Sequence, residues 1–134
     1  MINEEWFSEL ETVLFVLEDC QVDCDGMTYL VSHLLKQANV EHCCMFGYVT
    51  EKSSGDVVTP HCWITLPGDY IVDLRLRMWL GDFDHIPHGV FKSSCTPDIV
   101  YEGKGLRDSN LDVDTLDMMS DGRLSHVKVP SLLH

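Results

Sequence analysis

Val57-Val-Thr-Pro-His61-Cys-Trp-Ile-Thr-Leu66, Pro67-Gly-Asp69 and Tyr70-Ile-Val-Asp-Leu74 read as a strand, a tight turn and a second strand. Both runs are rich in β-branched and aromatic residues, and the Pro-Gly-Asp cluster between them is a turn signal. Side chains alternate along a strand, so His61, Trp63 and Thr65 share a face. A three-residue loop pairs Leu66 with Tyr70, and therefore Trp63 with Asp73. His61 then becomes the diagonal neighbour of Asp73 on the same face, within reach of a side-chain contact. A two-residue loop would shift the register by one and send Asp73 to the other face. The His–Asp pairing therefore stands or falls with an odd-length loop.

Working outward, Cys43 to Thr50 reads as a strand before the polar loop Glu51-Lys-Ser-Ser-Gly-Asp56. Upstream, Cys24, Met27, Leu30, Val31, Leu34, Leu35 and Ala38 form one apolar stripe at helical spacing. Asp23 stands where an N-cap belongs, and Asn39 tolerates the left-handed conformation of a C-terminal cap. Trp6, Leu10, Val13, Leu14 and Leu17 mark an earlier helix from Glu4 to Glu18, with Asn3 as N-cap. Beyond Trp79 the pattern weakens to a strand over Ile99–Tyr101, a helix over Val113–Met119 closed by Gly122, and a last strand over His126–Val129. The final dozen residues are apolar enough to dock. Helices followed by antiparallel strands make an α+β fold, expected as one domain over residues 1–134.

A thiol attacks only as thiolate, and the start of a helix favours an anion. Cys24 has that position. Its backbone N–H, with others of the first turn, can receive the oxyanion of a tetrahedral intermediate. Gln21, just before it, is a further candidate oxyanion donor. His61 would act as the base and Asp73 would orient it, with Trp63 walling the contact from water. Cys62 alternates away from His61 and is set aside as nucleophile unless the strand is bulged.

Four segments, Val22-Asp-Cys24-Asp-Gly-Met-Thr-Tyr-Leu, Phe46-Gly-Tyr-Val, His61-Cys-Trp-Ile-Thr-Leu and Tyr70-Ile-Val-Asp73, stand in this order and spacing. Together they resemble the transglutaminase-like group of papain-related cysteine enzymes, over roughly residues 20 to 75. The resemblance implies a papain-like core of N-terminal helices on an antiparallel sheet, with Cys24, His61 and Asp73 at the catalytic positions. Two departures stand out. Asn39 replaces a common Gly, and Asp23 a frequent one, so that Asp19, Asp23 and Asp25 crowd the thiol.

The expected chemistry is attack on an amide or ester through a thioester, by a peptidase, amidase, deamidase or acyltransferase. Hydrolysis is favoured, since nothing marks a second-substrate or calcium site. The alternative is a weakly active or inactive binding module of the same fold that recognises a basic partner, motivated by the aspartates. No cofactor and no metal are expected. Asp82-Phe-Asp-His85-Ile-Pro-His88 has ligand types but Pro87 blocks a helical presentation, and Asp112, Asp114, Asp117 and Asp121 read as a solvated face.

Nine basic residues face twenty-two acidic ones, a formal charge of −13, which argues against nucleic acid and anionic membranes. It suits a cationic peptide or protein substrate, unless Arg75, Arg77 and Lys92 cluster into a basic surface. No apolar run is long enough to span a membrane, and the opening Met-Ile-Asn-Glu-Glu is unlike a secretory leader. A cytoplasmic setting is expected, with the six cysteines reduced. Cys43 and Cys44 are expected as buried thiols on a strand, while oligomeric state is left open.

Overall fold

The computed structural model describes residues 3–106 and 111–132. Asn3 starts α1 (Glu4–Leu14) by accepting the Trp6 N–H on its side chain. Trp6, Phe7, Leu10 and Leu14 are buried from it. A 3₁₀ turn over Phe15–Leu17 replaces the last helical turn that the periodicity suggests. The second helix, α2 (Cys24–Gln37), begins at the expected thiol, although the Asp23 side chain makes no capping bond. It ends with Asn39 at φ 58°, the left-handed conformation expected there.

Five strands follow: β1 (Cys43–Glu51), β2 (Val57–Leu66), β3 (Tyr70–Asp73), β4 (Gly89–Lys92) and β5 (Ile99–Gly105). Among the described residues they form one antiparallel sheet of order β4-β3-β2-β1-β5. The β2–β3 turn has the odd length that the His–Asp pairing needs, since Leu66 pairs with Tyr70 and Ile64 with Val72. Gly68 and Asp69 both take positive φ in that turn. The fold class is thus α+β.

One face of the sheet carries Cys44, Ile64, Leu66 and Val72 and packs under α1 and α2. Leu10, Leu14, Leu30 and Leu35 are fully buried in this layer. At about 1.5–3 kcal/mol for each such side chain, packing outweighs intrinsic propensity in holding the helices. The other face carries Val49, Val58, Trp63 and Ile71 and is closed by Leu76 and Ile86 from the segment after β3. Val58 and Trp63 share that face despite an odd separation because β2 is bulged. Gly47 pairs with His61 but Val49 pairs with Val58, leaving one extra residue on β2 around Pro60. Pro60 has no N–H to contribute, so the irregularity costs no ladder bond there.

Later elements depart more from expectation. A one-turn helix α3 (Arg77–Leu80) and the edge strand β4 carry no clear sequence signal. Helix α4 (Val113–Met119) lies where expected, with Gly122 left-handed after it. The strand expected over His126–Val129 is absent; Arg123–His126 form a 3₁₀ turn instead, and Val127 and Val129 pack on the core without pairing. Trp6 Nε1 donates to the Pro130 carbonyl at 3.0 Å, so the described part of the C-terminal segment does dock. Cys44 is buried, but Cys43, alternating with it, is exposed. No described helix is long and apolar enough to cross a membrane.

Candidate active site

The bulged strand, the short turn and the start of α2 converge on one place. His61 is completely buried and donates from Nε2 to Asp73 Oδ2 at 2.7 Å. Asp73, also buried, accepts the Arg75 N–H on Oδ1 at 2.9 Å. Asp73 is thus brought to His61 as a buried partner.

Sequence reasoning missed a third donor. Tyr101 Oη donates to the same Asp73 Oδ2 at 2.8 Å. Tyr101 sits on β5, three strand spacings from β3, or about 14 Å across a flat sheet, further than a tyrosine reaches. The sheet must therefore curl around this face, and Trp63 fills the concavity. Trp63 stacks near His61 at 6.2 Å between ring centroids and meets Tyr101 edge-on at 5.0 Å. Its ring needs a glycine on β5: a Cβ on Gly103 would come within 2.9 Å of Trp63 and 2.5 Å of the Phe46 carbonyl oxygen. Trp63 shields the His61–Asp73 pair from behind, as a wall of the pair and not of the cavity in front.

The cavity in front has a volume of about 770 Å³ and is open to solvent. Cys24 lines it, with Asp23, Asp25 and Asp56 as its charged residues and Phe46 and Trp79 among its apolar ones. Among the described residues no Lys, Arg or His lines it. Strand β3 stops pairing at Ile64, so the β2 edge at His61 and Cys62 is free of a strand partner on that side. His61 and the Cys62 N–H both act on the Cys24 thiol from this edge.

Burial alone would push the Cys24 thiol up, but hydrogen bonding with His61 and with the Cys62 N–H outweighs it, and the net shift is downward. Burial likewise opposes charge on His61, yet Asp73 and Cys24 raise it to about 9. The contact between them is loose. His61 Nδ1, the nitrogen turned away from Asp73, has no partner at hydrogen-bond geometry. Burial, and then the charge of Asp73, push Tyr101 well above the usual phenol range, so it stays a donor.

The backbone N–H of Cys24 has no acceptor among the described residues, whereas that of Gly26 is taken by Asp25 Oδ1 at 2.8 Å. The expected oxyanion donor at the helix start is therefore free. Gln21 is not brought to it. Its side chain is exposed and it lines a neighbouring depression with Glu18 and Arg77, outside the Cys24 cavity.

Arg75 does not take part in the basic surface left open by the sequence: it is buried and its guanidinium donates to the carbonyls of Glu18, Cys20, Val22 and Leu74 at 2.7–3.0 Å. It thereby ties the loop before Cys24 to the strand end that carries Asp73. Nothing in sequence marks this, because an Arg partnered by loop carbonyls looks like any surface Arg. The histidines of the Asp82–His88 segment are committed elsewhere, His85 to Glu51 at 2.9 Å and His88 to Glu18 at 2.8 Å. Among the described residues no cluster of ligand side chains could hold a metal ion.

Comparisons of the chain with family models, curated proteins and solved structures found no match.

Proposed function

We propose that this chain is a thiol-dependent hydrolase or acyltransferase domain with a transglutaminase-like, papain-related core. The observation that carries the reading is the buried His61 ring, held on one nitrogen by Asp73 while the other is left for the Cys24 thiol. Cys24 Sγ attacks an amide or ester carbonyl, and His61 Nδ1 receives the thiol proton and returns it to the leaving group. The Cys24 N–H and the dipole of α2 stabilise the oxyanion. Asp73 fixes the ring and stabilises its charge. Water or an amine then releases the acyl group; hydrolysis is the simpler reading.

The aspartates lining the cavity favour a peptide or protein substrate with a cationic chain. Described cysteines without disulfide partners suit a reducing, cytoplasmic setting. The loose geometry between Cys24 and His61 Nδ1 favours a second reading, a binding module of the same fold for a basic partner. Acyl trapping separates the two. Incubation with an activated ester is expected to leave an acyl group on Cys24, seen by mass spectrometry, that turns over in the wild type and persists in His61→Ala. No acyl group on Cys24, or equal persistence in both proteins, would favour the binding module.

A further inference from the structure

A second thiol stands beside the first. Cys62 lies on the face of β2 opposite His61, yet it lines the same open cavity as Cys24. The two also line together a small void between α2 and the sheet. None of Cys20, Cys43, Cys44 and Cys95 lines either space. Strand alternation sends Cys62 toward α2, whose first residue is Cys24. Both thiols are half-buried, so a small solute entering the cavity reaches them.

We propose that Cys24 and Cys62 form a reversible oxidation site, in which Cys62 resolves peroxide-oxidised Cys24 into an intramolecular disulfide that shuts the cavity's nucleophile off. In the first step the Cys24 thiolate attacks one oxygen of hydrogen peroxide. The S–O bond forms, the O–O bond breaks, two electrons pass from sulfur to oxygen, and hydroxide leaves. Cys24 is then a sulfenic acid. In the second step the Cys62 sulfur attacks the Cys24 sulfur. The S–S bond forms, the S–O bond breaks, and the departing hydroxide takes the Cys62 proton as water. Two thiols and one peroxide thus give one disulfide and two waters, and a dithiol reductant reverses the change by exchange.

The electrostatics order the two steps. The Cys24 thiol is held below its ordinary value, so it is the one that meets peroxide as thiolate. Burial, and then the charge of Cys24, push the Cys62 thiol up to about 12. Conversion of Cys24 to a neutral sulfenic acid removes that second cause, so Cys62 becomes easier to ionise when it is needed. Without Cys62, a sulfenic acid in an open cavity proceeds with more peroxide to the irreversible sulfinic acid.

The test is peroxide titration of the intact protein, followed by alkylation, digestion and mass spectrometry. The expected result is loss of two alkylatable thiols, a Cys24–Cys62 linked peptide, and full recovery of Cys24 with dithiothreitol. In Cys62→Ser, Cys24 should instead accumulate as sulfinic acid and not recover. Cys62→Ala, with circular dichroism on each variant, separates a resolving role from a folding defect. Pairing of Cys24 with any other cysteine, sulfinic acid to the same extent in wild type and Cys62→Ser, or a Cys24 that stays reduced would each overturn the proposal. The readout is a mass, not turnover, so it stands or falls separately from the hydrolase reading.

Discussion

Asp73 is the residue on which the site turns, because its Oδ2 accepts from both His61 and Tyr101. Each donor draws charge from the same oxygen, so the tyrosine weakens the hold of Asp73 on the imidazolium. Tyr101→Phe should therefore raise His61 above its present value of about 9. It should also lower stability by about 1.5–3 kcal/mol, the usual worth of a buried hydrogen bond to a charged group. NMR titration of the His61 ring and urea unfolding check the two effects; a His61 value that falls or does not move would show that Tyr101 only packs. The sign of the pH effect follows from the direction of the shift. Folding raises His61 from 6.5 to about 9, so its protonation stabilises the fold fully below about pH 6.5 and that contribution is lost as pH rises through about 9.

Between elements, the contact that matters most is Arg75 holding the loop before α2 against the end of β3. Arg75→Met keeps much of the volume and leaves the carbonyls of Glu18, Val22 and Leu74 without their donor, while that of Cys20 keeps only the Val22 N–H. With about 1–3 kcal/mol for each buried acceptor left unsatisfied, the loss should exceed about 3 kcal/mol even when water rescues some of them. Hydrogen exchange should rise in the Glu18–Val22 loop, and Cys24 alkylation should slow as the thiol loses its fixed place. Unchanged exchange there would contradict the strap. What sequence made legible is what short-range geometry decides. The helix starting at Cys24 follows from a stripe of apolar residues, and the His61–Asp73 contact from the length of one turn. Tyr101 and Arg75 were illegible for the opposite reason: one depends on how far the sheet curls, the other on which loop passes a strand end. The edge strand β4 was illegible because it is only four residues long and is positioned from outside, through the Glu11 carboxylate accepting the Val90 N–H at 2.8 Å.

Over the whole molecule, a formal charge of −13 sets a negative field, and Asp23, Asp25 and Asp56 carry it to the cavity mouth. Burying Arg75 removes one cation that would oppose it, and Arg77 is paired with Asp82 at 3.2 Å. A cationic peptide should associate with this cavity faster than an anionic one of matched length. The preference should shrink as salt shortens the Debye length to about 8–10 Å and below. Stopped-flow binding at low and high ionic strength reads it directly. A preference for the anionic peptide, or none that salt alters, would confine the charge to solubility.

In the proposed mechanism His61, fixed by Asp73, activates Cys24. The most direct measurement is the rate at which each cysteine is alkylated by iodoacetamide as a function of pH, mapped by mass spectrometry. Cys24, held low by His61, should be the fastest thiol at about pH 6–7, ahead of the more exposed Cys43 and Cys95, and His61→Ala should abolish that lead. Cys43 or Cys95 reacting as fast as Cys24, or a lead that survives His61→Ala, would contradict the account.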